Sequence, residues 1–201
     1  MSELRNLLHT MRQDVGVVVE RDPSVSTGWE ALLHPALPAL WTHRMAAPLH
    51  RRGHRILAKL LSNAARTITG VEIHPGATMG RRVFIDHGAG VVIGETAVIG
   101  DDVTIFHQVT LGAVGWWTDN DRPSGQRRHP VVGDRVVIGC NASVLGPVTI
   151  GDDAIIGAQA LVTSEVPAGS RVHAPVATPS HLSLSTAGAA KRISVAAVKS
   201  A

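Results

Sequence analysis

The sequence predicts an α+β fold in which a helical N-terminal domain precedes a parallel β-helix with a protruding loop. Three observations carry that prediction. Apolar residues follow a helical period as far as residue 70. Beyond it, aliphatic residues recur every six positions. The composition favours small branched side chains: 44% of the 201 residues are apolar and twenty are glycine, yet only 3% are aromatic and none is tyrosine.

Residues 1–70 are expected to form the helical domain. Leu4, Leu7, Leu8, Met11, Val15 and Val18 fall at i, i+3, i+4 spacing and predict an amphipathic helix over residues 3–21. Asp22-Pro23 ends it, because the residue before a proline is pushed out of the α region. Thr27-x-x-Glu30 reads as a capping box that starts a second helix. That helix breaks around His34-Pro35 and Pro38, and a further stretch runs through Leu40, Trp41, Arg44 and Met45. Ile56, Leu57, Leu60, Leu61, Ala64 and Ile68 form a last helical stripe, closed by Gly70.

Residues 71–167 carry the six-residue repeat. It runs through Ile73, Met79 and Ile85, shifts by two in His87-Gly88-Ala89-Gly90, and resumes at Ile93, Ile99, Ile105 and Leu111. After an interruption at residues 113–131 it continues through Val132, Ile138, Val144, Ile150, Ile156 and Val162. Glycine follows the aliphatic residue at Gly80, Gly94, Gly100, Gly112, Gly133, Gly139, Gly151 and Gly157. Six residues are too few for a helical hairpin or a propeller blade. They suit one flat face of a three-faced coil, with one aliphatic side chain inward per face. Glycine at the corners answers a need for positive φ or for close approach between coils. A β-sandwich would instead show period two, with turns every 8–12 residues or so.

The interruption holds Trp116, Trp117, Asp119, Asp121, Arg122, Arg127, Arg128 and His129. So long a loop inside a regular solenoid points to function, and its paired indoles are expected to cover something or to pack on a neighbouring subunit. Residues 168–201 read as a loosely docked Pro-, Ser- and Ala-rich tail with a basic end at Lys191, Arg192 and Lys199.

A formal charge of +3, with basic pairs only at Arg51-Arg52 and Arg127-Arg128, is too weak for a nucleic-acid footprint. No apolar run approaches the roughly 20 residues of a spanning helix. Cys140 is alone, which excludes an internal disulfide framework and a cysteine-based zinc finger. With no secretory h-region visible, the expected location is cytoplasmic.

Candidate chemistry centres on Asp86-His87, where the six-residue register breaks. Glu72 lies fifteen residues earlier, near the eighteen or so of one three-faced coil, so the two can be neighbours on successive coils. A carboxylate beside an imidazole fixes its tautomer and raises its basicity, which makes a general base. Taken alone, such a pair is more often structural. His50 and His54 have a spacing that can bind metal, but no third ligand is evident and no metal is expected. His74 reads as a cap on the first coil and His107 as a wall residue. His9, His34, His43, His173 and His181 read as surface or helix-face residues.

Longer motifs add a resemblance. Gly70-Val-Glu-Ile-His-Pro-Gly-Ala-Thr-Met-Gly80, Phe84-Ile-Asp-His-Gly88 and Val92-Ile-Gly-Glu-Thr-Ala97 resemble the serine O-acetyltransferases of the hexapeptide-repeat family. Val109-Thr-Leu-Gly112, Arg128-His129-Pro130, Val144-Leu-Gly-Pro147 and, upstream, Arg21-Asp22-Pro23 continue the match, which covers about residues 20–167. The resemblance implies a left-handed β-helix and acetyl transfer from acetyl-CoA to the hydroxyl of L-serine, the first step of cysteine biosynthesis. It implies His87 as general base and Glu72 as the acid that orients it. Asp22 and Asp86 would hold the serine amino group, Arg128 its carboxylate, with His129 in the same site. The backbone at Gly112, Cys140 and Ala158 would hold the pantetheine arm. It also implies a homotrimer, or a dimer of trimers, with sites between subunits.

Departures stand beside the match. Gly112-Ala113-Val114-Gly115 and the tryptophans replace a short Gly-Gly-Thr-Gly loop, and Cys140 stands where a smaller residue is usual. Val172-His-Ala-Pro-Val-Ala177 departs from the family's Gly-x-Pro-Ala-Arg ending. Ala201 is not the isoleucine that docks into cysteine synthase, so that partner is not carried over. The altered loop keeps a second acceptor open, such as homoserine or an amino acid of specialised metabolism. A non-catalytic scaffold for a synthase is a third reading, against which Glu72, Asp86 and His87 speak.

Overall fold

In the computed structural model, helices occupy the first seventy residues and short parallel strands the next hundred; residues 2–177 are described, apart from 120 and 124. The basic end and residues 178–201 of the expected tail lie outside the described residues.

Helix α1 (Ser2–Arg21) leads to the single turn α2 (Gly28–Ala31). The capping box forms as the sequence predicts: Glu30 donates its amide hydrogen to Thr27 Oγ1, and its carboxylate accepts from the Thr27 amide. Then come α3 (Leu37–Arg51), with Pro38 in its first turn and Pro48 inside it, and α4 (Arg55–Thr69), closed by Gly70 at φ 71°. Several ties dock this layer on the coils. Asp14 and Arg44 form a buried bidentate pair, and Arg44 also reaches the Gly80 carbonyl at 3.2 Å. Arg21 donates to the Asp102 carbonyl and to Thr104 Oγ1, both at 3.0 Å. Ser62 donates to the Ile73 carbonyl at 2.7 Å.

The helical stripes are correct in period but not in the face they bury. In α4 only Ala58 and Ala65 are buried, while Ile56 and Ile68 are 80% and 81% exposed. The small alanine face makes the buried contact, and the large aliphatic side chains are left on the far side. In α1, Val17 and Val18 are buried but Leu4 and Leu8 are exposed.

The strands form three parallel sheets, one for each face of a left-handed β-helix. The first holds β1 (Glu72–Ile73), β4 (Val92–Ile93), β7 (Thr110–Gly112), β10 (Ser143–Leu145) and β13 (Leu161–Val162). The second holds β2 (Thr78–Met79), β5 (Val98–Ile99), β8 (Val131–Val132) and β11 (Thr149–Ile150). The third holds β3 (Phe84–Ile85), β6 (Thr104–Ile105), β9 (Val137–Ile138), β12 (Ile155–Ile156) and β14 (Arg171–Val172). The strand β14 carries the coil past residue 167. The register stacks Ile73 on Ile93, Ile93 on Leu111, Leu111 on Val144 and Val144 on Val162. All the repeat aliphatics are buried in one core, with Met79 partly so.

The hexad glycines serve close approach rather than positive φ. A Cβ on Gly80 would overlap the Gly100 carbonyl, and one on Gly139 would stand 2.6 Å from the Ala158 amide nitrogen. Most left-handed positions of the coils are taken by polar side chains, Arg82, His87, Asp102, Gln108, Arg135, Asn141, Asp153 and Gln159, beside Gly88, Gly90, Gly146 and Gly169. Between β7 and β8 the loop carries a short helix, α5 (Trp116–Asp119). Buried Asp119 accepts hydrogen bonds from the Gly115 amide and from Arg122. Trp116 and Trp117 are 72% and 63% exposed and meet edge to face.

Candidate active site

One edge of the β-helix, where the third sheet turns into the first, stacks His87, His107, Cys140 and Ala158 on successive coils. The Asn141 amide donates to the His107 carbonyl and the Gln159 amide to the Cys140 carbonyl, which laces the edge together. His87 sits in the left-handed region at φ 59°, with its ring 76% exposed and Nε2 3.7 Å from Asp86 Oδ1. The His107 ring stands edge-on to it at 6.0 Å, and its Nδ1 is buried with no hydrogen-bond partner among the described residues.

The helical layer brings two more groups to the His87 corner. Asp22 follows α1, and its Oδ1 accepts from both the amide and the hydroxyl of Ser24. Those bonds, aided by the nearby His34 and His87, hold its carboxyl below the usual range. His34 follows α2, buried against Phe84 at 5.6 Å between ring centres. Burial lowers its pKa, while Asp22 and Asp86 pull it back up.

A second constellation lies on the first sheet beneath the loop. A groove of about 370 Å³ is lined by Glu72, His74, Glu95, Gly112, Arg128 and His129 among others. Arg128 Nη2 is 2.7 Å from Glu95 Oε2. Thr96 Oγ1 accepts the amide hydrogens of Arg128 and His129, and His129 Nδ1 accepts the Thr96 amide hydrogen at 3.1 Å. Neutral His129 therefore carries its hydrogen on Nε2. Burial, then Arg128, lowers its pKa and keeps it neutral. Gly94 leaves room for the ring, since a Cβ there would collide with it.

The sequence-predicted residues thus fall into two groups. Asp22, Asp86, His87, Cys140 and Ala158 share the edge; Glu72, Gly112, Arg128 and His129 share the groove. Among the described residues no hydrogen bond or ion pair joins Glu72 to His87: Glu72 Oε2 lies 3.1 Å from Arg66. His50, His74 and Glu95 bring possible ligand atoms within 4.8 Å of one another. However, His74 Nδ1 accepts the Gly76 amide hydrogen, so the neutral ring presents an N–H and not a lone pair. Glu95 is already engaged by Arg128. A metal fits this set poorly.

The bacterial transferase hexapeptide model, of six repeats, matches residues 129–164. The serine acetyltransferase of Mycobacterium tuberculosis is 52% identical over 162 residues, covering 80% of this chain and 68% of that one. That of Helicobacter pylori is 52% identical over 154 residues, 76% of this chain and 86% of that one. The chain belongs to the serine acetyltransferase family. Among solved members, Entamoeba histolytica serine acetyltransferase isoform 3, in complex with cysteine, superposes with a TM-score of 0.79 at 35% identity. The match covers 90% of this chain and 62% of that one. The Neisseria gonorrhoeae serine acetyltransferase in complex with serine gives 0.77 at 37% identity, over 87% and 69%.

In this serine acetyltransferase family member, sequence reasoning gave no role to Glu95 and Thr96, read His107 only as a wall residue, and read His34 and His43 as surface or helix-face residues, whereas both are buried. Glu95-Thr96 is the platform of Arg128-His129, and only the phase of the repeat, one corner beyond Ile93, could have placed it there. His107 follows Ile105 as His87 follows Ile85, a shared repeat position that marks the same edge. Nothing in the sequence singles out His34.

Proposed function

We propose that this chain transfers acetyl from acetyl-CoA to the hydroxyl of L-serine, giving O-acetyl-L-serine and CoA for cysteine biosynthesis. One observation supports this most directly. A protomer carries an acidic and imidazole half-site at the His87 edge and a cationic half-site at the Arg128 groove. An amino acid, with opposite charges at its two ends, would bridge two such halves. A homotrimer would join the edge of one subunit to the groove of the next; a dimer of trimers would repeat that contact. On this reading the β-helix, residues 71–167, carries the chemistry, and the helical domain, residues 1–70, supplies Asp22.

His87 takes the serine hydroxyl proton as the oxygen attacks the thioester carbonyl carbon. The tetrahedral intermediate collapses, the carbon–sulfur bond breaks, and His87 returns the proton to the CoA thiolate. A neutral hydroxyl is a weak nucleophile and needs such a base within reach. The exposure of His87 on a rigid corner suits that role. Glu72 orients the base in the assembled site. Asp22 and Asp86 hold the amino group. Arg128, steadied by Glu95, takes the carboxylate in its planar fork, and His129 donates from Nε2. The arm of acetyl-CoA follows the edge past Cys140 and Ala158, with Gly112 on the facing groove. No helix among the described residues is long and apolar enough to cross a membrane; a cytoplasmic location suits the free Cys140.

Loss of the acetyl-CoA thioester, measured with L-serine, D-serine, L-homoserine and no acceptor, tests the reading. Turnover with L-serine that vanishes in His87→Ala is expected. Silence with every acceptor, in protein that keeps its fold, would overturn it.

A further inference from the structure

His107 stands on the edge between the proposed base and the proposed path of the acetyl-CoA arm, and the roles proposed above do not use it. Its backbone is tied to the coil beyond. The Phe106 amide donates to the Ile138 carbonyl at 3.0 Å, and the His107 carbonyl accepts the Asn141 amide at 3.1 Å. The ring meets His87 edge to face, with centres 6.0 Å apart and planes at 74°. Its Nδ1 is closed off from solvent and pairs with nothing among the described residues. A hydrogen there would be an orphaned donor, so the neutral ring carries its hydrogen on Nε2, the nitrogen that is not shut away. Neutral or protonated, the ring then presents an N–H from Nε2.

The edge also sets an order. Coils stack about 4.8 Å apart, so an arm that follows the edge past Ala158 and Cys140 reaches His107 before His87. A thioester under attack presents its atoms in the same order: arm, sulfur, carbonyl carbon, incoming oxygen. With the serine hydroxyl at His87, the sulfur falls about one coil back, at His107. We propose that His107 is a further catalytic residue, whose Nε2–H donates to the thioester sulfur and stabilises it as the thiolate departs. This rests on the reading that the acetyl-CoA arm follows this edge. The new carbon–oxygen bond forms as His87 takes the serine proton. The electron pair of the carbon–sulfur bond then goes to sulfur, and His87 gives that proton to it. His107 keeps its own hydrogen throughout. A thioester sulfur is a poor acceptor and a thiolate a good one, so the bond strengthens as negative charge builds on sulfur. Such an interaction raises kcat rather than merely tightening binding.

The test uses the full chain and CoA itself. Ultraviolet absorbance reads the pH at which the thiol of bound CoA ionises, measured in a His87→Ala background so that the base does not contribute. With His107 present that thiol should ionise about one to two pH units lower than with His107→Leu, the worth of one hydrogen bond to a charged group. Turnover reports the same bond. With His87 intact, His107→Leu should lose about ten- to a hundredfold in kcat while the L-serine KM changes by less than about twofold. His107→Gln, which keeps an N–H at similar reach, should recover most of the loss. His107→Met fills the same space with a flexible side chain and takes the place of leucine should that variant fail to fold. Equal ionisation of bound CoA with and without His107 would overturn the proposal, as would wild-type kcat in folded His107→Leu. A loss of kcat that glutamine does not restore, with ionisation unchanged, would also overturn it and assign His107 to packing against His87. Ala158→Trp, at an exposed position of the edge, separates the two levels. Wild-type affinity for CoA there would remove the reading of the arm, and the proposal with it. Weakened affinity there, with ionisation indifferent to His107, would remove the proposal alone.

Discussion

Replacing Gly94 by alanine should damage the Arg128 groove from beneath. An added Cβ would overlap Cδ2 and Nε2 of His129 and stand 2.8 Å from its Cγ, and the ring is 8% exposed with little room to retreat. It must swing out or push its neighbours aside. Swinging out forfeits the bond from the Thr96 amide and the 2.8 Å contact with the Thr96 hydroxyl. At about 1 kcal/mol for each hydrogen bond, that is about 2 kcal/mol. Staying in place costs about 1–3 kcal/mol in overpacking instead. Swinging out displaces the imidazole beside Arg128. Losing one hydrogen bond to a charged carboxylate, about 1.5–3 kcal/mol, raises the serine KM by about ten- to a hundredfold. The KM for acetyl-CoA should change far less. Gly16→Ala is the control. It lies in α1 with nothing within 4 Å of the new Cβ and should stabilise by about 0.5–1 kcal/mol. Steady-state kinetics and thermal melts read both. A Gly94→Ala protein with wild-type serine KM and wild-type Tm would refute the packing of His129 over Gly94.

Three further perturbations address stability. Burial holds the His43 pKa down at about 4, despite its bond to the Ala77 carbonyl. The unfolded chain therefore binds this proton first as pH falls, and stability should decline from about pH 6.5 to about pH 4 by up to about 3 kcal/mol. Urea unfolding at several pH values should show that slope in the wild type and its loss in His43→Gln. Thr27→Ala removes the cap of α2 and should cost about 0.5–2 kcal/mol, read as a lower urea midpoint with an unchanged m value. Asp14→Ala leaves the guanidinium of Arg44, 9% exposed, without its bidentate partner. It should cost about 3–5 kcal/mol, measured by the same titration.

What the sequence made legible follows from how local each signal is. The inward aliphatics of the coil are set every six residues by covalent spacing, so their register and the break at His87 could be read directly. The capping box of Thr27 and Glu30 spans four residues and was equally plain. Side chains that meet across coils were not. Glu95 acts on Arg128 thirty-three residues away, across the loop. His34 reaches Phe84 only because α1 and α2 fold back on the third sheet. The glycines show a subtler limit. Their spacing is visible in the sequence, but which of two needs they meet depends on the distance to the next coil. Most coil residues at positive φ turned out to carry polar side chains, His87 of the site among them.

The stripe on α4 separates amphipathicity from burial. Ile56, Leu57, Leu60 and Ile68 keep a strict helical period, yet all are exposed on the protomer, and Ala58 and Ala65 make the intramolecular contact. A helix that buries its small face packs close to its partner, because short side chains shorten the distance between them. The large face then records a demand that the protomer does not meet. The halves of the site record a similar demand: the base stands on an edge, and the cation that would hold its substrate stands in a groove of another face. Packing and charge are independent properties of the sequence, governed by different residues. The homotrimer proposed above would answer both at once if α4 lies along the edge-to-groove contact. Replacing Ile56 and Leu60 by glutamate should then lower the sedimentation coefficient and the L-serine turnover together. A monomer with full turnover would refute a site shared between subunits. A trimer unaffected by both charges would place α4 outside the contact.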